Sequence, residues 1–527
     1  MRDEGKKSAR LIGGESFLAI RKLKSAGNKT VRSVAFGSAM AAVAFGTIGA
    51  VTDGARAEFF LGDSRGSTKI NDKPTKFFTT GDIPERPALL IEWGENFLGE
   101  GTLQQGFELP TGAVWAPALW VFGTLRSSLQ SIDTGIGDNE RVSDWANRFD
   151  FFANLQLTAT EKLVLGIRPL DKNRGGQFSG YRFEGEANGD DEGWLDFTNG
   201  NIRTLFAEGD IGSLFPVLDK QGTTWLDFGF TVGRQPLIFQ DGILLNDTQD
   251  AIGLVRNNIR LPGVSNLRVS GLWSWDSVNR GATGIGNGGE RESDLNQFGL
   301  FTSFDTEFKT TNLDLVYTLD SDDNSAIEDG DSLHAGISIA ERIGRYSVTW
   351  RANGSLALEE ESDLVTNGAL LSTELSWTPH GSDDTIWINP FVTLGNFTQA
   401  GRENVDGGGP LAALGILYAS PNIGAFGSEL DNKANDNAGA AIGYQAFWND
   451  HWTNLGLEIA GFKDLGLEDE FQQGFEWQVG VGFQAQQKVT QQSLVQLEGF
   501  YALQEGEGDI EVDDDAYGGR LEFLYQF

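Results

Sequence analysis

The sequence has no cysteine, three histidines and two methionines among 527 residues. Without cysteine there can be no disulfide, thiol nucleophile or thiolate metal ligand. The histidines are His334, His380 and His451. Nucleophilic catalysis is short of parts, so no enzyme is expected. No nucleotide or cofactor motif occurs, and no cofactor is expected. Positive charge is scarce as well. Forty Lys and Arg face 75 Asp and Glu, for a formal net charge of −35. Phosphate repulsion would go uncompensated, which excludes nucleic acid as an expected partner. Beyond the N-terminal region no run of about twenty apolar residues exists, so no spanning helix is expected.

What is abundant is glycine and aromatic side chains: 69 Gly, 36 Phe and 14 Trp. With only modest overall hydrophobicity, this fits a membrane β-barrel with a polar interior. At the N-terminus, Lys29 and Arg32 precede a weakly apolar stretch, 33–51, which ends at Ala55-Arg56-Ala57. Basic flank, short apolar core and an A-x-A site read as a secretory signal peptide over 1–57, with 1–28 as a polar extension. The alternative is a single membrane anchor. Residues 58–117 are irregular and punctuated by Pro74, Pro84, Pro87, Pro110 and Pro117. They read as a periplasmic lead-in, with Trp115 and Trp120 near an interface.

From Leu119 onward apolar and polar residues alternate persistently, the period of a strand with one apolar face. In the first half, strands are expected over 119–130, 148–157, 163–168, 195–208, 225–239, 251–261 and 267–275, with 175–193 as a loop. The second half is more regular: 295–304, 312–319, 333–339, 346–358, 369–377, 386–397, 440–448, 452–462, 475–483, 494–503 and 516–527. The fold class is therefore all-β, a transmembrane antiparallel barrel over 118–527 with about 18 strands (roughly 16–20), an even number as such barrels require. Connectors alternate in length. Short ones at 262–266, 306–311, 342–345, 379–384, 449–451 and 488–492 interleave with long acidic or Gly-rich ones at 277–294, 320–331, 359–368, 400–437, 466–474 and 505–515. Counted back from Phe527, the short set is periplasmic. The loop 400–437 holds an apolar patch, Leu411 to Tyr418, which either folds into the lumen or hides one more hairpin.

Charged residues of inward parity supply the candidate solute-contacting set. The first half offers Arg126, Arg148, Arg168, Arg256, Arg260 and Arg268. The second offers Asp305, Asp314, Glu374, Glu458, Glu476 and Glu498, with Arg351 as the main exception. This segregation predicts a basic wall facing an acidic one, against the alternative of local wall-bracing pairs. The acidic segment 320–331 lacks the glycine of a calcium loop at its sixth position, which is Ser325, so no metal site is expected.

The final residues, Ala516 to Phe527, resemble the closing strand of a bacterial outer-membrane barrel. That resemblance implies that Tyr525 and Phe527 serve closure and assembly. The stretch Phe230-Thr231-Val232-Gly233-Arg234-Gln235, followed by Phe239-Gln240-Asp241-Gly242, resembles the Gly-Arg-Gln strand of the alginate-export family of outer-membrane porins. The resemblance implies an eighteen-stranded barrel that passes an anionic polysaccharide or small hydrophilic solutes. It also implies a luminal Arg234, which strict alternation would permit only with a bulge at Gly233. The expected function is a passive outer-membrane channel for hydrophilic solutes, anionic ones included. The alternatives are an export pore with a periplasmic partner, and a barrel sheathing another protein. The expected location is the outer membrane of a Gram-negative-type cell, with both termini periplasmic. Lipid and lipopolysaccharide, the barrel-assembly machinery and the solute are the expected partners.

Overall fold

The computed structural model describes residues 86–95, 97, 106–136, 141–172, 177–186, 191–218, 225–280, 290–292, 295–320, 330–358, 361, 365–402, 408–421, 423, 428–466, 475–506 and 512–527. The signal-peptide stretch, most of the lead-in and 321–329 of the acidic loop lie outside the described residues.

Eighteen strands form the barrel. They are β1 Ala118–Asp133, β2 Arg141–Gln156, β3 Lys162–Ile167, β4 Ile202–Asp210, β5 Gly229–Phe239, β6 Leu245–Leu261, β7 Val264–Asp276, β8 Leu295–Asp305 and β9 Lys309–Asp320. The second half comprises β10 Ser332–Ile343, β11 Tyr346–Ala357, β12 Gly368–Trp377, β13 Thr385–Phe397, β14 Asn437–Trp448, β15 Thr453–Asp464, β16 Phe475–Lys488, β17 Ser493–Gly506 and β18 Asp515–Gln526. Each pairs antiparallel with its neighbours, and β18 returns to β1 over Tyr517↔Asp133 to Gln526↔Thr124, so the ring is closed. Closure leaves no free barrel edge, which a sheet in lipid cannot tolerate. β13 pairs directly with β14, so the loop between them hides no barrel hairpin.

The burial pattern is inverted relative to a soluble protein. Outward residues are large and apolar: the rung Ile442–Ile459–Val481 is 51%, 58% and 49% exposed. Leu254, Trp273, Leu300, Leu313 and Leu371 are exposed on other strands. Inward residues are polar and covered, among them Gln130, Gln249, Gln297, Asn353 and Gln478. A contiguous apolar belt around a polar interior needs an apolar surround, which lipid supplies.

The connectors keep the expected alternation, with two exceptions: β5–β6, on the long-loop side, is the short turn 240–244, and β4–β5 is long. The β4–β5 connector lies on the short-turn side yet spans 211–228 and carries a helical turn, Ile211–Leu214. The stretch 175–193, expected as a loop, contributes a small hairpin, Gly180–Glu184 with Gly193–Leu195, laid on the long-loop end of β2. Part of the lead-in also joins the sheet. Ile91–Trp93 pairs with β1 at 119–121, just past the end of β18.

Phe527 secures the seam. It exchanges two backbone hydrogen bonds with Gly123, of 3.0 and 3.1 Å, and stacks on Phe149 at 5.7 Å. A Cβ at position 123 would lie 2.2 Å from the Asp150 carbonyl oxygen and 2.8 Å from the Phe527 ring. Gly123→Val should therefore strain the seam by about 1–3 kcal/mol, the usual cost of overpacking. The compact, heat-modifiable form on an unheated gel should fall markedly. Wild-type assembly of this variant would show that the seam does not depend on this contact.

Candidate constriction and its charge network

The segment between β13 and β14 runs through the barrel interior. Gly401–Arg402 lies parallel to Leu245–Asn246 at the start of β6, and Ala400 N–H donates to the Leu244 carbonyl at 2.9 Å. Turns at 408–418 then seat Leu411, Leu414, Leu417 and Tyr418, all fully buried, against inward Phe391, Ala441, Ala460, Phe462, Phe500 and Ala502. The wall there is built from small residues to receive them. A Cβ at Gly482 would stand 2.5 Å from Leu417. The segment continues to β1, where Arg126 donates to the Pro421 carbonyl at 3.0 Å and Gln130 to that of Ile423 at 3.5 Å. The apolar patch in the sequence is therefore a luminal insertion.

Glu458, in the middle of β15, pins this insertion. Its carboxylate accepts from Ile416 N–H at 2.9 Å, Leu417 N–H at 2.9 Å and the Trp387 indole at 3.0 Å. Asn389 adds a donor to the Leu414 carbonyl at 2.6 Å. A second, smaller insertion is the β5–β6 turn, where Gln240 and Asp241 take left-handed φ of 53° and 54°. Gln240 donates to Asp314 at 2.6 Å, and Asp241 pairs with Arg351, which also holds Glu374. Gln399 ties the two insertions together through the Gly242 carbonyl at 2.6 Å.

Several of the luminal charges are paired with one another. Arg126 holds Glu522 through Nε and Nη2 at 2.5 and 2.9 Å. Arg520 bridges Glu498 and approaches Glu522 at 3.8 Å. Arg148 and Arg168 both grip Asp150, at 2.7 and 2.6 Å, and Arg168 lies 3.7 Å from Asp171. The segregated basic and acidic walls are thus corrected. The first-half wall carries its own carboxylates, and closure sets β18 beside β1.

Three candidates leave the lumen. Arg234 pairs in register with Asp250 without a shift, so no bulge re-aims it. It shares the outward parity of exposed Val232 and Ile238 and is neutralised by Asp250 at 2.6 Å, level with Asp276 at the long-loop end of β7. Arg256 is opposite Val269 on the outer face, with its guanidinium 4.7 Å from the Phe228 ring and donating to the Trp225 carbonyl. Arg260 is exposed at the irregular end of β6 beside the β6–β7 turn, and its face is not fixed by the pairing. Glu476 is the extra residue between Phe475 and Trp477, a rim bulge that meets Lys463 at 3.5 Å. Arg268 and Asp305 keep inward parity, Arg268 level with Ser303 and Asp305 level with Thr310. Arg520 and Glu522, central to the network, were absent from the candidate set although the alternation of the last strand puts both inward.

Glu429, on the insertion, is a further missed group. Burial first, and then Glu498 and Glu458, hold its carboxyl well above the ordinary 4.5, with Arg520 opposing. A raised carboxyl pKa stabilises the packed insertion fully below the ordinary value, and the contribution is lost as pH climbs through the folded value. The insertion should loosen at alkaline pH. Open-channel noise should rise as the pH is raised in the wild type and stay flat in Glu429→Gln; equal pH dependence in both would remove Glu429 from this role.

No known family profile matches the sequence, and no curated protein matches it. Among solved structures the chain is similar to OccAB2 of Acinetobacter baumannii, with a TM-score of 0.50, 10% identity, and 78% of this chain and 98% of that one covered. It is also similar to OccAB3 of the same organism (0.49, 12%, 78% and 99%) and to a BenF-like porin from Pseudomonas fluorescens Pf-5 (0.49, 9%, 78% and 98%). At these identities the likeness is one of fold. It agrees with the eighteen-stranded architecture, and the alginate-export family itself gains no support from it.

Proposed function

We propose that the chain is a passive outer-membrane porin for small hydrophilic solutes, narrowed by its own β13–β14 insertion. The observation that carries this reading is the inverted barrel, apolar outside and polar inside, whose interior is constricted but not filled. Chambers of mixed polar and apolar lining remain among the described residues, one of about 490 Å³ beside β16–β18 and β1 and one of about 690 Å³ along β2–β8. The fold likeness to OccAB2 supports the barrel architecture on which this reading rests. The short-turn edge, where β1 starts and β18 ends, would face the periplasm, and the apolar belt would meet lipid and lipopolysaccharide after delivery by the assembly machinery. Nothing here favours export of a long polyuronate. A sheath would present an open apolar interior, whereas the apolar wall patch is covered by the chain's own Leu411, Leu414 and Leu417. Liposomes carrying the purified chain should swell in isosmotic small sugars and amino acids and stay intact in a large dextran. Liposomes holding folded chain that never swell would reject a porin.

The paired arginines set a test of selectivity. Arg148→Ala with Arg168→Ala strips Asp150 of both guanidinium partners. A carboxylate left alone in a narrow lumen is weakly screened and attracts cations. The reversal potential in a salt gradient should move toward the cation value; an unmoved potential would mean that Asp150 does not face the permeating ions.

A further inference from the structure

We infer that the chamber between the insertion and β17–β18–β1 is a binding site for an uncharged, hydroxyl-rich solute of sugar type. This rests on the porin reading and specifies its substrate class. At about 490 Å³ the chamber lies within the range of small-molecule sites, about 300–1,000 Å³.

Its charges are used internally. Arg126 is held by Glu522, and Arg520 by Glu498 and Glu522; their side chains are only 18% and 7% exposed. An incoming carboxylate would have to displace a protein carboxylate from either guanidinium, and an incoming ammonium would have to displace a guanidinium. Neither exchange gains much, since a charged pair is replaced by a similar one. Glu429 adds a carboxyl that burial keeps toward its neutral form.

What the chamber does offer is amide capacity. A primary amide carries two N–H donors and two acceptor lone pairs. Gln484 donates once, to Glu498, and accepts once, from Gln486. Gln496 likewise donates to Glu498 and accepts from Gln486. Each keeps one donor and one acceptor position. A hydroxyl group donates and accepts at one atom, so adjacent hydroxyls match such a mixed, charge-balanced wall. The apolar remainder of the lining, Ile132, Trp387, Leu414 and Phe500, suits the C–H faces of a sugar ring.

The test uses the full chain in planar bilayers, with maltose, its oxidised anionic form maltobionate, and the cationic glucosamine dimer as blockers of ion current. Maltose should block saturably, with a half-blocking concentration at least tenfold below that of either charged disaccharide. Gln484→Met with Gln496→Met, scored only in channels that open, should raise the maltose value at least tenfold. Stronger block by a charged disaccharide, an unchanged maltose value in the double variant, or a steady current without maltose block would each overturn the inference and leave the porin reading standing. Absence of any current from folded chain would overturn the porin reading itself.

Discussion

Replacing Glu458 by alanine should open the pore, raising single-channel conductance several-fold and broadening it into substates. The carboxylate is the shared acceptor for two backbone N–H groups of the insertion and for the Trp387 indole. Removing it strands two N–H groups, at about 1–3 kcal/mol each, in a segment with few other polar ties to the β15 wall. The apolar anchors Leu411, Leu414 and Leu417 remain, so the insertion should loosen rather than leave. Glu458→Gln keeps one carbonyl acceptor and should fall between wild type and alanine. Conductance in Glu458→Ala equal to wild type would mean that the insertion is held by its apolar contacts alone.

The second large effect concerns the outer face. Ile459 is outward, in the middle of β15, and 58% exposed between Ile442 and Val481. Arginine there would sit in the hydrocarbon layer, at a cost of about 2–4 kcal/mol near the midplane. Ile459→Arg should lower folding stability in bilayers by that amount, read from denaturant titration of the heat-modifiable form. The same change at exposed Leu163, one residue from the start of β3, should cost far less. Equal costs at the two depths would deny that the belt lies in lipid.

Much of this was legible in the sequence because a barrel in lipid imposes one rule on every strand. The hairpins β8–β9 and β16–β17 stand out by clean alternation and short turns. The first half was harder to read. β3 has six residues, and the next 34 positions contain a hairpin too short to show a period. Assigning faces to charges failed where phase was ambiguous. Asn257 and Asn258 blur the alternation around Arg256, and a bulge displaces Glu476. Pairing could not be read at all. Arg126 and Glu522 stand 396 residues apart and meet only because the ring closes. The patch at Leu411 was visible as apolar, but its seat depends on Ala441, Ala460 and Gly482 on three different strands.

The central claim is that the barrel is a solvated pore narrowed by a segment of its own chain. The measurement that tests it most directly is single-channel recording of the purified full chain in planar bilayers, with insertion verified by heat-modifiable migration. Discrete, ohmic current steps of uniform size are the predicted result. Folded chain that inserts and carries no current would contradict it.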